Sequence, residues 1–387
     1  MMLRRRKNSL VEWILEPFVV NRRGFGHQPD FVLLATVGLL LFFGLVFLSS
    51  ASANLGFYRY EDTYRFLKQQ IIHGVLPGLL FFYLAVRINY QHYRNLAWLG
   101  LIVSFILLIL VFLTSLSGDF SAQSWIILGG VSFQPAELVK LFLIIFLAFW
   151  FEKKGAEVKD FKKTTIPFLI IVGLISFLII KQPDIGTLAI ISVTSLVMYY
   201  IAGAKLNHLA VIIAAGLLGL VVMIKAAPYR MNRIIAWLNT DIDPQGIGWQ
   251  IKQSLIAVGS GGWFGLGIGS SRQKSYLPQP ANDSIFAVIA EEIGFLFSVA
   301  LIILFIVLIH RGFQIARQSD DDFAKLLAIG IITWLSLQIF INIGGMIKLM
   351  PMTGVPLPFI SLGGSNLAVT LLAIGILTNI SKFTHNR

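Results

Sequence analysis

Between residues 31 and 380 the chain returns repeatedly to apolar runs of bilayer-spanning length, and this recurrence leaves it few ways to fold. A helix needs roughly 20 apolar residues, about 17 to 25 when tilted, to cross a hydrocarbon core. Inside that core every backbone N–H and C=O must be satisfied within the protein, so such runs read as helices. The runs fall at 31–50, 71–88, 96–116, 135–151, 165–180, 185–202, 206–224, 284–309, 326–346 and 362–380. No polar stretch between them is long enough to build a core of its own. Charged residues make up only 13% of the chain, against about a quarter in soluble domains. The expected fold is therefore all-α and polytopic: about ten transmembrane helices in one membrane domain, 31–387, behind a tail of residues 1–30. An even number of crossings puts both ends on the same side.

Lys and Arg decide which side, because short cytoplasmic loops accumulate them. The tail carries Arg4, Arg5, Arg6, Lys7, Arg22 and Arg23, the loop 152–164 carries five lysines, and 310–325 carries Arg311, Arg317 and Lys325. The intervening loop 117–134 has neither residue type, and 181–184 has only Lys181. The basic loops, and with them both termini, are expected in the cytoplasm. A net charge of +12 would suggest nucleic acid in a soluble protein, but here it follows the loop alternation, so no nucleic-acid partner is expected. Cysteine is absent and the six histidines lack ligand spacing, so no resident metal site is expected. The tail's apolar stretch is broken by Glu12, Glu16 and Pro17 and lacks a small-residue cleavage site, which reads as an amphipathic cytoplasmic segment.

Two outward connections are unusual. The segment 225–283 is too long for a turn and contains apolar stretches at 233–239 and 253–269, expected to form short interfacial or re-entrant helices. The segment 351–365 carries Pro351, Pro356 and Pro358 and cannot continue a helix. Non-helical backbone at that depth is tolerated where protein or a watery cavity covers it.

Ionisable groups in or beside spanning segments are the candidates for chemistry, because they are costly unless paired or hydrated. Glu137 and Lys140 stand three residues apart and can pair on one helical face, which a purely structural ion pair explains equally well. Asp184 follows Pro183 at the start of a helix, where capping alone would account for it. Asp283 precedes the run from Ser284; a carboxylate at a helix N-terminus is held ionised with a depressed pKa, which suits a cap better than a general base. Glu291 and Glu292 lie about 12 Å further along the same helix, too far to form the ~5 Å carboxylate pair of a retaining glycosidase. The glycine-rich stretch 259–274, ending in Arg272 and Lys274, could cradle a diphosphate, although close packing of small residues explains the glycines as well.

Taken in order, WIILGGVSFQPAELVKL (125–141), KQPDIGT (181–187), the long segment 228–278, NDSIFAVIAEEIGF (282–295) and LMPMTGVPLPFISLGGS (349–365) resemble the shape, elongation, division and sporulation family, which comprises FtsW, RodA and SpoVE. The SRQK element (271–274) resembles the division and sporulation branch most, in the manner of FtsW. The resemblance implies a ten-helix fold in the bacterial inner membrane and a peptidoglycan glycosyltransferase that polymerises lipid II. It implies, as partners, a class B penicillin-binding protein that crosslinks the product and other membrane proteins of the division or elongation machinery. The family's essential outer-loop aspartate falls on Asp283, its membrane-embedded Glu and Lys on Glu137 and Lys140, and the aspartate after its fifth helix on Asp184. The chain departs from the family pattern at Ser124, where Arg is usual, at 279–284, where QPANDS replaces EAHTDF, and at Leu362, where Tyr is usual.

The implied chemistry is attack by the 4-hydroxyl of an acceptor sugar on the anomeric carbon of a lipid-linked donor, with inversion and departure of undecaprenyl diphosphate. Asp283 is the expected base, with Arg230, Arg233, Arg272 and Lys274, beside Asp184, as the expected substrate-binding set. Mg²⁺ or Mn²⁺ could assist the leaving diphosphate. Two rival classes share the spans and buried charges: a lipid flippase or transporter, and a non-catalytic division scaffold. No inverted repeat is visible, and the richest motif lies at the outer edge, which favours the enzyme.

Overall fold

In a computed structural model the described residues are 27–114, 124–128, 131–242 and 246–384. The expectation of an amphipathic tail falls almost wholly on residues 1–26, outside this set. Each of the ten apolar stretches is helical over most of its described residues. In chain order the helices are α1 Phe31–Tyr60, α2 Arg65–Arg87, α3 Gln91–Thr114, α4 Pro135–Lys154, α5 Phe161–Lys181, α6 Ile185–Ile201 and α7 Leu206–Lys225, then α8 Pro228–Leu238, α9 Ile247–Ser260, α10 Ile285–Gln318, α11 Asp322–Met346 and α12 Gly364–Ser381. Among the described residues, eight helices are long and apolar enough to cross a bilayer. Outside those eight stand α6, at 17 residues, and α4, whose apolar stretch carries Glu137 and Lys140.

Several helices outrun their apolar runs. α1 continues through Ala51–Tyr60 and stops where Glu61 turns left-handed, with φ at 56°. Hydropathy marks only the length that lipid covers, whereas helix propensity carries the backbone on until a residue breaks the pattern. Carboxylates cap the starts: Asp30 accepts from Leu33 N, and Asp321 from Phe323 N.

One face of the bundle is tied together by polar contacts between the helix ends. His27 N donates to Lys382 O, Asp30 pairs with Arg311 at 2.9 Å, Arg94 bridges Glu152 and Asp321, and Asn379 Oδ1 accepts from Tyr90 N. The described ends of the chain therefore lie together on one face.

Burial is uneven. α11 and α12 are enclosed on nearly every side, whereas α7 exposes almost all of its apolar side chains. A helix that is apolar all round and exposed suits lipid rather than water. α2 and α12 approach closely through glycines: a Cβ on Gly375 would stand 2.7 Å from Phe82 O, and one on Gly364 2.8 Å from His73 O. Within α2 the backbone passes through a π-helical turn at Ile71–Val75 beside that contact.

Two features were not anticipated. A short antiparallel hairpin, β1 Ile126–Leu128 with β2 Val131–Phe133, pairs Ile126 with Phe133 just ahead of α4. The glycine-rich segment after α9 inserts its main chain into a break in α10 at Gly294, where φ is +74°. There Leu266 N and Gly267 N donate to the carbonyls of Glu291 and Glu292, and Phe295 N donates back to Gly262 O.

Candidate active site

The segment between α11 and α12 is non-helical, as its prolines dictate, and it is held at both flanks. Two amides one turn apart on α11 take it from the inside: Gln338 Nε2 donates to Pro356 O at 2.9 Å, and Asn342 Nδ2 to Val355 O at 2.8 Å. From α8, Arg233 Nη1 donates to Met352 O and Trp237 Nε1 to Lys348 O. From α2, buried Gln70 bonds both Ser361 O and Gly363 N. Each bond satisfies backbone that the missing helix leaves open.

The turn carrying Asp283 rests on this segment. Leu362 N donates to Ala281 O, Ser361 Oγ to Asn282 O at 2.7 Å, and Asn342 Nδ2 to Asp283 O at 3.0 Å. The main chain of Asp283 is thereby fixed, while its carboxylate has no hydrogen-bond partner among the described residues. Oδ2 faces Gly354, where a Cβ would stand 3.4 Å away and where φ is +81°. A side chain at 354 would therefore be strained and would crowd the carboxylate.

The expectation that Asp283 is a helix cap with a depressed pKa is corrected. Ser284 occupies the N-cap of α10, without a side-chain bond to the helix. The carboxylate is only half-buried by surface, yet it lies deep among protein atoms. Desolvation pushes it up to about 6, and the guanidinium of Arg233 opposes that rise without cancelling it. Asp184, by contrast, is a cap: it accepts from Thr187 N at 2.9 Å at the start of α6 and stands 3.4 Å from Gln134 Nε2. Its helix reaches the same segment, since a Cβ on Gly186 would run into Val355 Cγ2.

Glu137 and Lys140 pair at 2.9 Å, each side chain only 2% exposed. Asn366 Nδ2 of α12 donates to Glu137 Oε2, and Lys140 stands 3.4 Å from Gln338 Oε1 and over the Trp334 ring. Gln338 links this pair to Pro356, and Asn342 links Val355 to Asp283. One polar chain therefore runs from the buried ion pair to the candidate base.

The candidate cations do not converge. Arg233 is the one whose charge acts on Asp283. Arg230 turns away, donating to Met223 O at the end of α7 and to the Tyr229 hydroxyl. The side chain of Lys274 is 7% exposed, with Nζ donating to Gly269 O at 2.7 Å and 3.8 Å from Glu292 Oε1. Arg272 has an exposed side chain, while its backbone N donates to Glu291 Oε1. The amide cradle expected of the glycine-rich segment is also absent. The N–H groups of 265–267 and 270–274 all donate to protein acceptors, chiefly the carbonyls and carboxylates of Glu291 and Glu292. Small-residue packing, the alternative reading, accounts for the glycines: a Cβ on Gly265 would overlap Glu292 O.

The sequence reading passed over Gln338, Asn342, Ser361 and Gln70. A signal existed for the first two, since Gln338 and Asn342 are four residues apart in an apolar run and so share a helical face. No group of three or more His, Asp or Glu that could hold a metal occurs among the described residues. Asp283 offers one carboxylate, with a guanidinium as its charged neighbour, a donor set that does not fit a divalent ion held by the protein.

The chain is 39% identical over 359 residues to stage V sporulation protein E of Bacillus subtilis, covering 92% of this chain and 98% of that one. It is 37% identical over 359 residues to a probable peptidoglycan glycosyltransferase FtsW of Trichlorobacter lovleyi, covering 92% and 93%. Among solved structures, a chain of a peptidoglycan synthase complex that coordinates polymerization and crosslinking superposes with a TM-score of 0.75 at 27% identity, covering 91% of this chain and 97% of that one. The rod shape determining protein RodA of Thermus thermophilus superposes with a TM-score of 0.65 at 27% identity, covering 93% and 98%. The sequence model of the cell cycle protein family FtsW/RodA/SpoVE matches residues 31–386, and this chain belongs to that family.

Proposed function

We propose that this protein is a peptidoglycan glycosyltransferase of the bacterial inner membrane that polymerises lipid II, with Asp283 as general base. The observation that carries the reading is the Asp283 carboxylate itself: main chain clamped, side chain unpartnered, and pKa raised to about 6 by desolvation. A base is most effective when its pKa lies near the working pH, and this shift moves an aspartate toward that range.

In the proposed step, Asp283 takes the proton of the acceptor's 4-hydroxyl as that oxygen bonds to the donor's anomeric carbon. The bond from that carbon to the diphosphate oxygen breaks, and undecaprenyl diphosphate leaves with the electron pair. A single displacement inverts the anomeric centre and needs one base rather than a carboxylate pair. Arg233 is the cation best disposed to meet the departing charge. Arg272, exposed and without a side-chain partner among the described residues, is a second, whereas Lys274, Arg230 and Asp184 act through the protein around the site.

This reading includes ten crossings, counting α4 and α6, and a cytoplasmic location for both termini, supported by the basic residues of the face where the chain ends meet. The segment 225–283 and the α11–α12 connection then lie outside, where a prenyl-anchored sugar meets water. The partner is a class B penicillin-binding protein, by analogy with the synthase complex that this fold resembles.

The test is Asp283→Asn in the purified protein, assayed on lipid II. Loss of polymerisation by about two orders of magnitude or more is expected from removal of a general base. Wild-type turnover would remove Asp283 from the chemistry and leave the scaffold reading.

A further inference from the structure

Beside the turn that carries Asp283 lies a cavity of about 140 Å³, bounded by the π-helical turn of α2, the β1–β2 hairpin and the backbone of 362–364. Its side chains include Gln69, His73, Trp125, Ser132 and Asn282, and among the described residues no Asp, Glu, Lys or Arg lines it. The side chains of Gln69, His73, Trp125 and Ser132 have no hydrogen-bond partner among the described residues. Asn282 uses its Nδ2 on Gln279 Oε1, and its side-chain Oδ1 has no partner among the described residues. Five polar side chains that are free to meet water or a ligand thus surround one opening and form a recognition surface.

The kind of ligand follows from what the cavity lacks. A diphosphate would call for cations, and no Lys or Arg is among the residues that line the cavity. An exposed indole beside neutral donors and acceptors suits a ring with an apolar face and a polar rim, as in a sugar. A cavity of about 150 Å³ can hold a benzene-sized ring, so this open one of about 140 Å³ seats part of a single pyranose and has no room for a disaccharide. Asn282, which lines the cavity, immediately precedes Asp283, so the opening adjoins the turn that carries the candidate base.

Resting on the lipid II reading above, we infer that this cavity is a subsite for one N-acetylated sugar ring of the precursor, with Trp125 against the ring face and the side-chain Oδ1 of Asn282 accepting from the acetamido N–H. The wall that fixes the ring is rigid. Gly74 and Gly364 bring α2 and the start of α12 so close that a Cβ on Gly74 would stand 3.2 Å from Gly364 Cα. The π-turn that carries His73 is thereby locked in place.

The experiment measures binding of a short-chain, water-soluble lipid II to the full-length protein in nanodiscs by calorimetry, alongside turnover. The same measurements are made with a precursor lacking the N-acetyl group on its glucosamine ring. Trp125→Ala and Asn282→Ala are expected to weaken binding at least tenfold, and Asn282→Ala to erase the preference for the acetylated precursor. Trp125→Tyr should restore most of the binding, which separates ring contact from misfolding, and unchanged melting curves check the fold. Wild-type affinity in both alanine variants, or an undiminished acetyl preference in Asn282→Ala, overturns the subsite. Because binding is read without turnover, a wild-type protein that binds but does not polymerise would contradict the enzyme reading and leave this one standing.

Discussion

Asn342 Nδ2 lies 3.0 Å from the carbonyl oxygen of Asp283 and 2.8 Å from that of Val355, so a single amide of α11 joins the turn bearing the candidate base to the non-helical segment beneath it. Both acceptors are main-chain groups, and the carboxylate stays available for substrate. Asn342→Leu keeps the volume and removes the donor. A buried acceptor left unpaired costs about 1–3 kcal/mol, so the variant should melt at a lower temperature. A displacement of about 1 Å in a reacting group can cost about 100-fold, so kcat should fall between roughly 10- and 100-fold with KM little changed. A folded Asn342→Leu variant with wild-type kcat would refute the positioning role.

The pH profile follows from the same carboxylate. A base works only when deprotonated, and Asp283 titrates at about 6, so kcat/KM should be level above neutrality and fall as pH drops through about 6. Arg233 lowers that pKa by stabilising the charged form. Arg233→Gln should therefore move the acid limb to higher pH, besides breaking the bond to Met352 O, and Arg233→Lys should move it less. A limb that shifts to lower pH in Arg233→Gln would contradict the electrostatic account.

Much of this arrangement is legible in the residues, and what is not has a physical reason. The helices over the apolar runs follow from apolar length, and the broken segment 351–363 from three prolines. The depressed pKa expected of Asp283 fails because the helix begins one residue later than hydropathy suggests. The carboxylate then meets neighbours from α8 and the α11–α12 segment, whose approach only the tertiary fold determines. The glycine-rich segment misleads because amides free to bind phosphate and amides needed by a broken α10 look the same in one dimension. Gln338 and Asn342 escape notice because an uncharged amide in an apolar helix is a weaker signal than a charge, although its hydrogen bonds organise the site.

Gly294 tests whether that break in α10 is required. Its φ of +74° disfavours any side chain, and a Cβ there would overlap Gly265 N and stand 2.7 Å from Phe264 N. Left-handed backbone alone costs a non-glycine residue about 1–3 kcal/mol, and the overlap adds to that. Gly294→Ala should therefore lower the melting temperature sharply, with loss of polymerisation as the main-chain bonds between 262–267 and 291–295 come apart. Gly259 serves as the control: it lies in α9 with nothing within 4 Å of a Cβ, so Gly259→Ala should be neutral or stabilising by about 0.5–1 kcal/mol. Equal melting curves for the two variants would show that the insertion does not hold the fold.

The buried pair Glu137–Lys140 separates a structural charge from a chemical one. Removing one partner of a buried pair leaves an uncompensated charge and costs about 3–5 kcal/mol, whereas replacing both with neutral side chains of similar volume is often tolerated. Lys140→Met alone should thus destabilise strongly. Glu137→Gln with Lys140→Met should recover most of the melting temperature, since the amide oxygen introduced at position 137 could still accept from Asn366. If the pair serves only to hold α4 against α11 and α12, polymerisation returns together with stability in the double variant. If the Lys140 charge also orients Gln338, and through it Pro356 and the segment under Asp283, the double variant will be stable but slow. The ratio of its kcat to wild type, measured at equal folded fraction, distinguishes the two; Gln338 Oε1 also accepts from Trp334 Nε1 at 2.8 Å, shorter than the 3.4 Å approach of Lys140, so Gln338 keeps its place and polymerisation is expected to return with stability.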